Sequence, residues 1–168
     1  VNRDRLDELL AKFPSRRVAV LGDFFLDKYL EVDPRLAETS IETGKRANQV
    51  VEIRTSPGAA GTVINNLSAL GAGELHAIGA TGDDGEAYDL RRGLEERKCS
   101  IAGLVPFPFL RTPTYLKPRD VNDPNLEGEH ERYDTKNRQP TPAEVAQRVL
   151  AEVDRRLPQL DALIIADQ

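Results

Sequence analysis

One cysteine, two histidines, no methionine and no tryptophan occur among the 168 residues, and each scarcity removes a class of chemistry. Cys99 has no partner for an internal disulfide, and with only His76 and His130 beside it no Cys/His metal cluster can be built. Cys99 is expected to be a small buried hydrophobe. No apolar run approaches the length that spans a bilayer, and the opening Val1-Asn2-Arg3-Asp4-Arg5 is charged rather than secretory, so no membrane partner and a cytoplasmic setting are expected. Basic charge is in deficit too. A net charge of -5 leaves no cationic surface for a phosphate backbone, which argues against nucleic acid and moves small-molecule chemistry forward.

What remains is an ordinary globular composition, 39% hydrophobic and 30% charged, sufficient for one core. Leu6, Leu9, Leu10 and Phe13 mark a helix face that Pro14 stops. Val18 to Leu21, Leu75 to Gly79, Ile101 to Val105 and Ala162 to Ala166 are short continuous apolar runs of the kind that form buried strands. Between them, Val63, Ile64, Leu67 and Leu70, then Ala87, Leu90 and Leu94, then Val145, Val149 and Val153 follow helical spacing. Thr141-Pro142-Ala143-Glu144 reads as a capping box with proline at the first helical position. Strand and helix alternate, which predicts an α/β fold with a mostly parallel sheet covered by helices on both faces.

Two stretches break the rhythm. Residues 29–55 carry β-branched and acidic residues, with Val50 to Thr55 as a strand, and are read as a small β flap. Thr114 to Lys117 and His130 to Tyr133 flank a turn-rich centre and are read as a hairpin.

Four constellations could carry chemistry, the first of them just beyond the carboxyl end of the first strand, where ligands gather in such sheets. Asp23 and Asp27 follow the first strand and offer two carboxylates to the hydroxyls of a polyol, or else form an acidic turn that caps local amides. Pro57-Gly58-Ala59-Ala60-Gly61-Thr62 opens a helix with small residues, which lets a ligand approach exposed amides or lets helix and sheet pack closely. Gly79 to Gly85 reads as a turn whose aspartate caps the next helix. It is not a P-loop, because the lysine and hydroxyl spacing is missing. Tyr115 and Lys117 share one face of a strand, with Arg132 and Asp134 on the return strand, so a cation there can meet a phosphate or carboxylate or simply be solvated.

Taken together, Pro57 to Gly71 and Gly79 to Gly85 resemble the first signature and the glycine-aspartate region of the PfkB/ribokinase family of carbohydrate kinases, with heptose-phosphate kinase-like members the nearest in pattern. The resemblance covers about Arg17 to Gln168 and implies a ribokinase-like fold cut short. The whole of 1–168 would be the N-terminal part of one kinase domain, with a lid at about 29–55. It further implies that Asp23 and Asp27 bind acceptor hydroxyls, that Gly58, Ala59 and Thr62 line the sugar pocket, and that Tyr115 and Lys117 face the substrate, Lys117 toward an acidic group.

Asp167 ends the strand beyond which such proteins begin their ATP and magnesium residues. Ala59 replaces a usual glycine and Thr62 a usual asparagine. The family's second signature, Asp-Thr-x-Gly-Ala-Gly-Asp, does not occur, so the base and the nucleotide site are absent from these residues. The implied reaction of the parent is ATP-dependent phosphoryl transfer to a hydroxyl of a sugar or sugar phosphate, and the resemblance allows a homodimer through the lid. The alternative is a non-catalytic sugar-binding or regulatory member of the same fold.

Overall fold

The computed structural model describes residues 2–123 and 131–167. Four strands, β1 (Arg17–Gly22), β4 (Glu74–Gly82), β5 (Cys99–Phe107) and β8 (Ala162–Ala166), form an all-parallel sheet in the order β5-β4-β1-β8. Parallel strands need coverage on both faces, and the apolar runs supply it. Val18 and Val20 point to one side, where they pack with Ile64 of α2 (Ala60–Ala69) and with Leu90 and Leu94 of α3 (Gly85–Glu96). Ala19 and Ile78 point to the other, against Val149 and Val153 of α4 (Ala143–Arg156). Burying each such aliphatic side chain is worth about 1.5–3 kcal/mol before entropy is counted.

The remaining strands make a second sheet in the order β3-β2-β6-β7: β2 (Phe24–Thr39), β3 (Arg46–Ala59), β6 (Thr114–Asp120) and β7 (Tyr133–Thr135). β2 and β3 are a long antiparallel hairpin, β6 runs parallel to β2, and β7 returns antiparallel to β6. Phe24 and Leu26 fasten the root of this sheet into the main core.

Several elements differ from the sequence reading. Phe24 to Asp27 is not a turn beyond β1 but the start of β2, so the hairpin spans 24–59 rather than 29–55. Phe24 and Leu26 face the core while Phe25 and Asp27 take the other side, and that alternation makes the segment a strand. The return strand is displaced to Tyr133–Thr135; His130 and the turn residues Pro124 and Asn125 lie outside the described residues. The Thr141 cap does not form. Pro142 takes the N-cap position at ψ 144° with no side-chain cap, and the helix starts at Ala143. α1 (Arg3–Leu10) is helical as its spacing predicts, yet buries none of its residues.

Candidate functional site

Asp27 lies on the side of β2 that carries Phe25 and Tyr29, and strand register fixes its neighbours. Ser56, Asp27, Tyr115 and Asp134 form one row across the second sheet, and Arg54, Tyr29 and Lys117 form the next. Lys117 Nζ donates to Asp27 Oδ1 at 2.7 Å and to the Tyr29 hydroxyl at 3.4 Å. It also stands 4.9 Å from the Tyr29 ring centroid and 5.9 Å from that of Tyr115. Burial works against the ammonium charge, but the hydrogen bond and charge of Asp27 outweigh it, with the Tyr29 hydroxyl adding to them; the Lys117 pKa lies above the ordinary lysine value. Both partners of the ion pair are four-fifths buried, so water screens the pair only in part.

Gly58 is paired with Phe25, and a Cβ placed on it would lie 2.5 Å from Asp27 Oδ2. Only a residue without a side chain lets the carboxylate rest there. Ala59 follows with φ 53° and ψ -119°, a region L-residues avoid, and the Ala60 amide then donates to the Asp23 carbonyl at 3.0 Å.

The parallel sheet ends in a cleft of about 850 Å³ that Asp23, Phe25, Arg111, Tyr115, Lys136 and Arg138 help to line. This is the carboxyl edge where open α/β sheets hold ligands. Phe25 and Tyr115, 5.1 Å apart between ring centroids, belong both to the cleft and to the Asp27 face, and so join the two. The rim is braced by Asp84, the N-cap of α3. Its carboxylate accepts from the Ala87 amide at 2.9 Å and from the Thr112 amide at 2.9 Å. Burial pushes the Asp84 pKa up, but the hydrogen bonds from Thr112 and Ala87, helped by the Arg111 charge, bring it below the ordinary value. Asn137 clasps Arg111 reciprocally, accepting from its amide at 3.0 Å and donating to its carbonyl at 2.8 Å.

The structure thus brings Asp27, Gly58, Tyr115 and Lys117 together. Asp23 is exposed and helps to line the cleft, one residue past β1. Thr62 is exposed on the first turn of α2 and is not among the cleft-lining residues. Asp167 is exposed one residue past β8, whose Ala166 pairs with Gly22, so Asp23 and Asp167 end adjacent strands. Sequence reasoning passed over Tyr29, Ser56 and Phe25, whose signal was the two-residue alternation of Phe25, Asp27 and Tyr29.

Among the described residues no three His, Cys, Asp or Glu side chains converge as metal ligands, and the Gly-Ala-Gly-Asp turn is missing from the sequence. The described residues therefore do not fit a nucleotide or magnesium site. The polar rows and aromatic rings suit an oxygen-rich acceptor instead, with carboxylates to accept from hydroxyls and rings to cover C–H faces.

Solved structures give the class. The chain superposes on a putative ribokinase from Agrobacterium tumefaciens with a TM-score of 0.51 at 19% identity, covering 89% of this chain and 44% of that one. A putative sugar kinase from Clostridium perfringens gives 0.54 at 13% identity, with 86% and 40% covered. The chain therefore has the ribokinase-like α/β fold, in keeping with the PfkB/ribokinase resemblance of its motifs. No family model matches it. The curated relatives are more particular: bifunctional protein HldE of Syntrophotalea carbinolica is 32% identical over 168 residues, 99% of this chain, and that of Desulfatibacillum aliphaticivorans 31% over 159 residues, 92% of it. The chain spans about a third of the length of these relatives, 32% and 30% respectively.

Proposed function

We propose that these residues form the acceptor side of a carbohydrate kinase, and that the full-length protein transfers the γ-phosphoryl group of ATP, with magnesium, to a hydroxyl of a sugar or sugar phosphate. The observation that carries the proposal is the Asp27 carboxylate resting against bare Gly58 with Lys117 2.7 Å away, beside the cleft at the strand ends. Asp27 accepts from an acceptor hydroxyl, and Asp23 on the cleft lining contacts the same polyol. Tyr29 and Tyr115 cover its apolar face. Lys117 turns to an anionic substituent when one is present. The β2–β3 hairpin serves as the lid, and Gly58 and Ala59 supply backbone beside Asp27, while Thr62, exposed on α2 away from the cleft, is given no part in it.

ATP and magnesium would be held by the part of the longer protein outside these 168 residues, with Asp167 at its threshold. Positioning and charge stabilisation dominate phosphoryl transfer. The acceptor side therefore contributes by fixing one hydroxyl in line and keeping water out. Reliance on ATP and the charged opening residues support a cytoplasmic setting.

The opposite face of the hairpin supports a homodimer. Leu30 pairs with Ile53 and Val32 with Val50 there, and Ile53 and Val50 are 57% and 42% exposed, a patch that a second lid would cover.

The test is ATP turnover by the full-length protein against a panel of free and phosphorylated sugars. Turnover confined to one acceptor class is expected. No turnover with any acceptor, together with sugar binding, would favour the non-catalytic reading.

A further inference from the structure

β3 reaches the Gly58–Asp27 contact through Pro57, whose ring is less than 2% exposed. Two helical glycines hold that ring between them. A Cβ on Gly61 of α2 would stand 2.5 Å from Pro57 Cβ, and one on Gly93 of α3 would stand 2.9 Å from Cδ and 3.0 Å from Cγ. Carbon atoms settle at about 3.5–4.0 Å, so each helix approaches Pro57 as closely as a bare Cα allows. Glycine is a poor residue for a helix interior, and the buried Gly93 has this packing contact as its reason. A third restraint comes from Asn65, whose Nδ2 donates to the Pro57 carbonyl at 3.1 Å.

Pro57 is thus clamped from α2 and α3 immediately before the two residues that shape the acceptor site. Gly58 follows against Asp27, then Ala59 at its positive φ, then the Ala60 amide bonded to Asp23. We propose that Gly93 is a positioning residue for acceptor binding: by letting α3 close on Pro57 it sets where the Gly58 backbone meets the Asp27 carboxylate. This rests on the acceptor-site reading given above.

A methyl group at position 93 cannot be relieved by the proline ring, which is closed and backed by α2. The gap between α3 and the end of β3 must instead widen by at least about 0.6 Å, the difference between 2.9 Å and the shortest ordinary contact, and whatever part of that shift β3 takes up displaces Gly58. Losing a well-formed hydrogen bond to a charged group weakens binding by about tenfold or more, so about tenfold is expected here.

The experiment compares full-length wild type with Gly93→Ala, Pro57→Ala and the double variant. Alanine at 57 lacks Cγ and Cδ, the atoms the new methyl strikes, so the double variant relieves the contact. Gly93→Ala should raise the acceptor KM about tenfold with the ATP KM unchanged, and the double variant should return to the value of Pro57→Ala alone. General destabilisation would lower the unfolding midpoint without splitting the two KM values, and a second core truncation would deepen it. An unchanged acceptor KM in folded Gly93→Ala, or a double variant worse than either single, overturns the proposal.

If Gly93→Ala does not fold, Pro57→Ala decides. A several-fold rise in acceptor KM at constant ATP KM supports the positioning role, and no rise overturns it. If wild type phosphorylates no acceptor, the kinase reading falls and the coupling is read by NMR. The Gly58, Ala59 and Asp27 amide resonances should move in Gly93→Ala and return in the double variant; resonances that stay put overturn the coupling.

Discussion

Replacing Ala59 with glycine isolates the backbone conformation at the junction of β3 and α2. At φ 53° and ψ -119° the Cβ of Ala59 crowds its own backbone, and such a non-glycine conformation costs about 1–3 kcal/mol. Glycine removes that strain but widens the unfolded ensemble, a loss of about 0.4–1 kcal/mol. It also gives up a half-buried methyl group, about half of the roughly 0.8 kcal/mol of full burial. Taking the middle of each range, Ala59→Gly should stabilise the protein by about 1 kcal/mol. With a urea slope of about 1–3 kcal/mol per molar, the unfolding midpoint rises by roughly 0.3–1 M at constant slope. Lys98, at φ 58° just after α3, supplies a comparison at a helix end, where the left-handed conformation is common and glycine should gain less. An Ala59→Gly midpoint equal to or below wild type would refute the assignment of strain to this position.

Three further outcomes are expected. Lys117→Met removes the 2.7 Å partner of Asp27 and should weaken acceptor binding, by about 1.5–3 kcal/mol where the acceptor is anionic, measured as the acceptor KM. Because the folded pKa of Lys117 is raised, the stability it adds is full below the ordinary lysine pKa and is lost as pH rises through the raised value; titrating wild type against Lys117→Met should bring their unfolding midpoints together only in alkali. Asp84→Ala strips the cap of α3 and the anchor of the Thr112 amide, costing about 1–2 kcal/mol at neutral pH. With its folded pKa depressed, the Asp84 contribution should be present above the ordinary aspartate pKa and fade as pH falls through the lowered value. Cys99, whose thiol burial pushes to about 12, should resist a thiol reagent at neutral pH until denaturant unfolds the chain.

The parallel sheet was legible because its strands are short and apolar on both sides, and α3 because Asp84 announces its start. The hairpin edges were hidden by composition. Phe24-Phe25-Leu26 looks uniformly apolar, although Phe24 and Leu26 enter the core while Phe25 joins the Tyr115 face. Asp27, Gly58 and Lys117 could each be singled out, but the ion pair joins residues 90 positions apart and only strand register reveals it. Tyr29 went unnoticed for the same reason. Thr141 had the right residue type for a cap, yet the backbone at Pro142 remained extended and moved the helix start onward by one residue.

The order in which the main sheet is assembled bears on how the protein is made. β1 emerges early from the ribosome but lies in the interior of its sheet, and the strand on its far side, β8, is synthesised last among the described strands. The Arg17 amide waits for the Asp161 carboxylate, 144 residues later, before that side is fastened. Closing so long a loop is slow, and an apolar strand left with one open side during that interval is a target for mispairing. Synthesis of this chain should accordingly be sensitive to translation rate and to holding chaperones up to the moment β8 leaves the exit tunnel.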